Sequence, residues 1–309
     1  MKRILLGGSA LLALYLLLSI VAGALAAEAA LRPGRRVLSP TSSELAQQLA
    51  DRHHASLQAV SISAADGQVL RGWSIQPQRG NGDAVILLHG HTDNRAGMLG
   101  KADLLLHYGY AVLLPDARAH GQSGGEFATY GVLESGDLRR WYDWLQGTQH
   151  PHCIDGLGES MGAALLLESL RTTPEFCAVV AESPFASFRE ASYDRVGQEL
   201  GVGGQLGRTL LRPVVDVGFL YARWKHGVDF EAASPEQAVA ESTVPVLLIH
   251  GTADNNLPIR HSWKIVAHAA GRHPAVVFWE VSGARHCGAQ GADPAAYEQR
   301  VVSWFVSNR

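Results

Sequence analysis

Between residues 84 and 279 the chain repeats one device, a short unbroken apolar run closed by polar or glycine residues and followed by a helical stretch. The runs are Ala84-Val85-Ile86-Leu87-Leu88, Ala111-Val112-Leu113-Leu114, Cys153-Ile154-Asp155-Gly156-Leu157, Ala178-Val179-Val180-Ala181, Val246-Leu247-Leu248-Ile249 and Val276-Val277-Phe278-Trp279. Runs that are apolar at every position, rather than at alternate ones, predict strands buried on both faces, as in a parallel sheet covered by helices. The runs close in His89-Gly90, Pro115-Asp116, Glu182-Ser183, His250-Gly251 and Ser282-Gly283. In an open α/β sheet these C-terminal strand ends are where chemistry is assembled.

Two segments depart from the rhythm. Ahead of it, Leu57 to Ser63 and Val69 to Ile75 flank Asp66-Gly67, the signal for an antiparallel hairpin that opens the sheet. Between the fourth and fifth downstream runs, about residues 186–242, lies a stretch too long for a plain crossover, with Gly201-Val202-Gly203-Gly204 and the apolar Leu210 to Trp224 inside it. This predicts a helical cap over the strand ends. Its apolar side chains are expected chiefly to pack the cap itself.

The third run ends in Gly158-Glu159-Ser160-Met161-Gly162 and passes into Ala163 to Leu170, a series of strong helix formers. Small residues on either side of one serine, between a strand and a helix, describe the G-x-S-x-G nucleophile elbow. The pattern occurs a second time, in Gly121-Gln122-Ser123-Gly124-Gly125, without a strand before it or a helix behind it. Context therefore selects Ser160 and rejects Ser123.

A serine hydroxyl needs a base, an acid that orients the base, and an oxyanion site. Downstream of such an elbow the expected order is acid, then histidine. From residue 250 on the histidines are His250, His261, His268, His273 and His286. His261 and His268 fall in a helical stretch and read as surface or packing residues. His286 follows the last run in Ser282-Gly283-Ala284-Arg285-His286-Cys287-Gly288, where small neighbours let an imidazole reach the elbow. Asp254 leaves the Val246 run directly and is the candidate acid. Asp116 also stands at a strand end, but it precedes Ser160 and reads as a loop-shaping partner of Arg118. The oxyanion donors are expected to be the backbone N–H of Met161, at a helix N-terminus, and that of His91, in the loop after the Ala84 run. His89 and His91 invite a metal reading, yet no carboxylate or cysteine spacing completes a site, so neither metal nor cofactor is expected. The sequence leaves the role of Glu159, beside the nucleophile, open, a salt bridge under the cap being its plainest reading.

Taken together, His89-Gly90, the Asp116 to Gly125 stretch, Gly158 to Gly162, His250-Gly251-Thr252-Ala253-Asp254 and Arg285-His286 resemble the α/β-hydrolase superfamily. Within it the chain is most similar to serine aminopeptidase-like and monoglyceride-lipase-like hydrolases, including membrane-attached bacterial members. The resemblance covers about residues 55–309. It implies an α/β-hydrolase fold, Ser160 as nucleophile with Asp254 and His286 as partners, and amides of Met161 and His91 as oxyanion donors. Nothing marks a propeller domain or an acidic pocket for a peptide amine. A small-molecule carboxylic ester or thioester is therefore the expected substrate, with peptidase or amidase activity, or a non-catalytic binding module, as alternatives.

The first residues answer a different question. After Met1-Lys2-Arg3 no charged residue occurs from Ile4 to Ala27, about the ~20 apolar residues that span a bilayer and longer than a signal-peptide core. Residues 1–27 are thus expected to be a single-pass anchor, and Lys2-Arg3 favours a catalytic domain outside the cytoplasm. Ala24-Leu25-Ala26 offers the alternative of cleavage near Ala26 and a secreted or periplasmic product. Residues 28–54 read as a linker, Glu28 to Pro40, then a helix capped at Thr41-Ser42-Ser43-Glu44. Cys153, Cys177 and Cys287 are expected mostly as buried thiols, with a Cys153–Cys177 bridge as the lesser alternative in an oxidising compartment. A net charge of −3 offers no basic excess, so nucleic acid is not an expected partner. The sequence carries no signal of oligomeric state.

Overall fold

The computed structural model describes residues 2–271 and 276–309, with side chains from residue 9 onward; His273 lies outside the described residues. Eight strands, β1 (Ala55–Ser63), β2 (Val69–Pro77), β3 (Ala84–Leu88), β4 (Ala111–Pro115), β5 (Ile154–Glu159), β6 (Val179–Glu182), β7 (Val246–Gly251) and β8 (Val276–Val281), form one sheet in the order β1-β2-β4-β3-β5-β6-β7-β8. From β4 through β8 neighbouring strands run parallel, while β1 pairs antiparallel with β2, and β2 with β4. The helices are α1 (Lys2–Leu31), α2 (Pro40–Arg52), α3 (Leu99–His107), α4 (Glu134–Gln149), α5 (Met161–Ser169), α6 (Phe188–Glu199), α7 (Gly203–Arg208), α8 (Arg212–His226), α9 (Pro235–Glu241), α10 (Arg260–Ala269), α11 (Ala289–Ala292) and α12 (Pro294–Ser307).

The unbroken apolar runs have a simple cause. In β3, Ala84, Ile86 and Leu88 point into one core with α4 and α5, while Val85 and Leu87 point into the other with α2, α3 and α12. Alternation along a strand is preserved, but both faces are covered, so every position is apolar. β8 is the exception. It forms the sheet edge, and Val277 is 44% exposed, so its four-residue apolar run is not a strand buried on both faces.

Several local expectations need correction. The linker expected from Glu28 starts later, because α1 continues helical to Leu31. The next helix begins at Pro40 with Ser39 as its cap, its hydroxyl accepting from the Ser42 amide; proline at the first position carries no N–H to satisfy, which moves the start ahead of Thr41. Cys153 and Cys177 are joined by a disulfide rather than standing as thiols, and Cys287 is free. Asp116 pairs not with Arg118 but with Arg95, which gives it a backbone and a guanidinium hydrogen bond of 2.8 Å each. Arg118 instead grips Asp137 with two bonds, 2.6 and 2.8 Å, and reaches Asp66 at 3.0 Å.

Asp155 lies inside β5, fully buried, with neither carboxylate oxygen hydrogen-bonded among the described residues. Burial, with Asp83 adding to it, pushes its pKa up to about 8 from an ordinary 3.8. An acid whose pKa is higher folded than unfolded binds a proton on folding, so stability falls as pH rises from the unfolded value through the folded one. Asp155→Asn is expected to flatten the dependence of Tm on pH between the ordinary carboxylate value and about 8, and to raise Tm at the alkaline end. Thermal denaturation of both proteins across that range checks this; parallel curves would refute it.

Candidate active site

Ser160 sits on the corner between β5 and α5 at φ 53°, ψ −115°, a conformation rarely adopted by residues with a side chain. The flanking glycines make the corner possible. A Cβ on Gly158 would lie 2.5 Å from the Gly162 carbonyl, and one on Gly162 would collide with the Leu88 carbonyl. The result is a serine projected from the strand ends into a cavity.

His286, from the loop after β8, meets it there: its Nε2 is 2.8 Å from Ser160 Oγ. The other ring nitrogen, Nδ1, is 2.7 Å from Asp254 Oδ2. Asp254, in the loop after β7, accepts the Asn256 and Leu257 amides on Oδ1, each at 2.9 Å. Burial works against its charge, but hydrogen bonds from His250, His286 and the Leu257 amide outweigh burial and hold the carboxyl below its ordinary range. The structure thus brings together the three side chains singled out in the sequence, in the order nucleophile, imidazole, carboxylate.

Met161 follows Ser160 as the first residue of α5, and both it and His91 line the cavity. Helix-start N–H groups have no carbonyl one turn back within the helix, which leaves them for a ligand. His89 anchors the loop that carries His91, with Nδ1 2.8 Å from the Gly90 carbonyl and Nε2 accepting the Ala117 amide at 3.1 Å. Both of its nitrogens are thereby engaged by backbone. The His91 ring faces the cavity, yet enough protein crowds it that desolvation, with Arg195 and His89 adding, lowers its pKa to about 4. Its Nε2 is 3.2 Å from the Tyr130 hydroxyl, which donates to the Ala30 carbonyl at 2.9 Å. For both bonds to form, neutral His91 must carry its proton on Nε2.

The decoy serine has a structural task. Ser123 is buried, its hydroxyl donating to the Asp116 carbonyl at 2.7 Å and accepting the Arg71 amide at 2.9 Å. Of the other histidines, His261 is buried in α10, with Nε2 2.9 Å from Asp194 and Nδ1 accepting the Ala186 amide. Glu159, left open by the sequence, forms a salt bridge with Lys101 of α3 at 3.0 Å. Burial, opposed by Lys101 and reinforced by Glu182, raises its pKa. Lys101 also reaches Glu182 at 3.4 Å and Gln290 at 2.9 Å, joining β5, β6 and α11 just behind the elbow.

The cavity measures about 1050 Å³, and its wall is mostly apolar. α6 contributes Phe188 and Val196 to it, and α1 contributes Ala22, Ala26, Ala29 and Ala30. Sequence reasoning did not anticipate Tyr130 or the α1 alanines at the site. A lone tyrosine in a loop carries no local signal, and an apolar helix announces only that it must leave water. Ser9–Leu31 is long and apolar enough to cross a membrane or to serve as a signal segment.

Two family models match the chain, one described as serine aminopeptidase, S33, over residues 81–210, the other as the prolyl oligopeptidase family over residues 216–308. The uncharacterized protein YqkD of Bacillus subtilis is 31% identical over 201 residues, 64% of this chain and 63% of that protein, so the chain spans less than two thirds of that relative. YfhR of Escherichia coli K12 is 27% identical over 69% of each chain. Among solved structures, an esterase of Pyrococcus furiosus superposes with a TM-score of 0.70 at 25% identity, covering 90% of this chain and 97% of its own. An acylaminoacyl peptidase of Pyrococcus horikoshii shares the fold, with a TM-score of 0.63 at 16% identity, over 82% of this chain and 42% of its own. A mostly parallel sheet with an antiparallel opening, a serine at the sharp turn after β5, and matches to hydrolase families along both halves agree: the chain belongs to the α/β-hydrolase superfamily.

Proposed function

We propose that the protein is a membrane-anchored serine hydrolase that cleaves a carboxylic ester or thioester through an acyl-enzyme on Ser160. The observation that carries this reading is the hydrogen-bonded series Asp254, His286, Ser160, with links of 2.7 and 2.8 Å, opening into a mostly apolar cavity. His286 Nε2 takes the Ser160 proton as Oγ attacks the acyl carbon, and returns it to the departing alkoxide or thiolate. Asp254, ionised by its hydrogen bonds, holds the proton of His286 on Nδ1 and stabilises the imidazolium. Amides of Met161 and His91 receive the oxyanion, each such donor contributing ~3 kcal/mol in the transition state. Water then repeats the sequence to release the acid.

Esters are favoured over peptides by the charges around the cavity. Its carboxylates are already engaged: Glu159 by Lys101 at 3.0 Å, Asp93 by Arg36 at 3.0 Å, and Glu199 by Arg195 at 3.9 Å. None is left over to receive a peptide ammonium. The anchor reading draws on the length of Ser9–Leu31, and export on Lys2-Arg3 and on the Cys153–Cys177 disulfide, a bond that persists in oxidising compartments. Retention of the anchor, rather than cleavage near Ala26, is supported by the packing of α1 on α8, where a Cβ added to Gly23 would lie 2.6 Å from the Val214 carbonyl.

A fluorophosphonate probe is expected to label the full-length protein on Ser160. A chain-length series of p-nitrophenyl esters should be hydrolysed faster than aminoacyl anilides. No labelling of the folded protein would leave a non-catalytic binding module, and a preference for anilides would make it a peptidase or amidase.

A further inference from the structure

We propose that the cavity receives the long acyl chain of an ester resident in the lipid bilayer, and that α1 forms one wall of this acyl site as well as anchoring the protein. The proposal rests on the ester-hydrolase reading above and names its substrate class. Three observations carry it.

The first is the size and lining of the space beside Ser160. About 1050 Å³ stands at the upper end of the range for small-molecule pockets, far more than a short acyl group fills. Ala22, Ala26 and Ala29 recur at helical spacing and keep the α1 wall low, and Phe188 and Val196 of α6 line the same space. Methyl groups and aromatic rings suit a hydrocarbon chain, and the charged side chains Arg195 and Glu199 on the same wall are paired with each other at 3.9 Å.

The second is that this wall is fixed in place. Ser19, Gly23, Ala27 and Leu31, four residues apart, are the buried line of α1. Gly23 and Gly218 let α1 and α8 approach backbone to backbone, a contact that would be lost with any larger side chain. At the lower end of α1, Glu28 takes hydrogen bonds from Tyr221 at 2.7 Å and Lys225 at 2.9 Å, and its Oε1 lies 2.9 Å from His226 Nε2. The Leu31 carbonyl accepts the Ala128 amide at 2.8 Å, and Tyr130 ties the Ala30 carbonyl to His91. The helix is therefore joined to the loop expected to bind the oxyanion.

The third is where the bilayer must lie. Tyr15 is already bound to the cap through the Leu210 carbonyl, and the part of α1 ahead of it, Lys2–Leu14, spans ~20 Å at ~1.5 Å per residue, short of the ~30 Å hydrocarbon core. For α1 to cross, its Tyr15 end has to enter the membrane together with the part of the cap bound to it. That part carries exposed apolar side chains, Leu206, Leu210 and Leu220, and Tyr15 donates to the Leu210 carbonyl. Trp224, 83% exposed, and neighbouring Arg223 and Lys225 stand at the level of Glu28 and suit the headgroup layer. The charges Arg212 and Asp216 are paired at 3.3 Å, as charges close to hydrocarbon must be. Ala22 and Ala26 then lie on the hydrocarbon side of that level, so an acyl chain can pass from the leaflet to Ser160 without crossing water.

The test uses full-length protein reconstituted in phosphatidylcholine vesicles. Ala26→Trp narrows the acyl site, and Leu25→Trp places the same ring on the exposed outer face of α1. Ala26→Trp is expected to lower kcat/KM for p-nitrophenyl dodecanoate about tenfold more than for p-nitrophenyl acetate, with Leu25→Trp keeping the wild-type ratio. If Ala26→Trp does not fold, Ala22→Phe is read in the same way. Equal losses on both esters, or none, would overturn the acyl site while leaving the hydrolase intact. A non-exchanging fluorogenic dioleoyl ester should be cleaved at least about tenfold faster in the enzyme's own vesicles than in separate ones; equal rates, or no cleavage in either, would overturn the bilayer as source. Wild-type protein that hydrolyses neither p-nitrophenyl ester and leaves Ser160 unlabelled would remove the ester reading and this proposal with it.

Discussion

Ser160→Ala is expected to lower kcat about a millionfold, the loss typical of deleting the nucleophile from a unit that works as a whole. The protein should still fold. Alanine keeps the Cβ, so the strained corner at φ 53° is neither relieved nor worsened, and only the hydroxyl bonded to His286 is removed. Residual turnover would come from the oxyanion amides and the cavity alone. His286→Ala should cost a similar amount, and the double variant little more than either, because serine without its base and base without its serine fail at the same step. Single-turnover kinetics on a p-nitrophenyl ester, with circular dichroism as the folding control, checks all three. Additive losses would mean that Ser160 and His286 do not act together.

Asp254→Asn is expected to cost about ten-thousandfold in kcat with the loop preserved. Asparagine can keep a carbonyl oxygen toward the Asn256 and Leu257 amides, which fix the turn. Its other end becomes an NH₂ group facing His286 Nδ1, where a carboxylate oxygen now lies at 2.7 Å. That donor demands an acceptor nitrogen and so turns the imidazole to the tautomer whose Nε2 carries a proton and cannot take one from serine. The pH signature follows from the depressed pKa of Asp254. A carboxyl that ionises more readily folded than unfolded stabilises the fold above its unfolded pKa, and the gain is lost as pH falls through the lower folded value. The wild type should therefore lose part of its acid-side stability that the asparagine variant never had, and the curves of Tm against pH should converge on acidification. Curves that stay parallel, or an asparagine variant within tenfold of wild-type kcat, would remove Asp254 from this role.

How much was legible in the chain depended on whether a signal was local. Each apolar run marked a strand because a strand's burial is written in its own residues, and β3 coincides with its run to the residue. β8 shows the limit: four apolar residues look alike at the centre and at the edge of a sheet, and only the missing neighbour makes Val277 exposed. Ser160, Asp254 and His286 could be singled out because each leaves a strand end, and the topology fixes where strand ends meet. The partner of Asp116 could not. Arg118 is two residues away in sequence, but the chain turns so that Arg95, from the segment before α3, reaches the carboxylate first. Glu159 likewise found Lys101 across the sheet end, a choice set by tertiary packing. The Cys153–Cys177 bond was equally hidden, since cysteine spacing says nothing of a Cα separation of 5.9 Å.

That bond has a consequence for how the nucleophile survives disturbance. Cys153 precedes β5 and Cys177 precedes β6, so the covalent ring contains the strand, Ser160 and the whole of α5. When heat or a denaturant loosens the sheet, this stretch opens as a closed loop, with ~3 kcal/mol less chain entropy to gain than an open one. The corner at Ser160 is then the part of the molecule with the shortest path home. A chain made where thiols stay reduced would lack that ring, and its elbow would have to be found afresh each time it was lost.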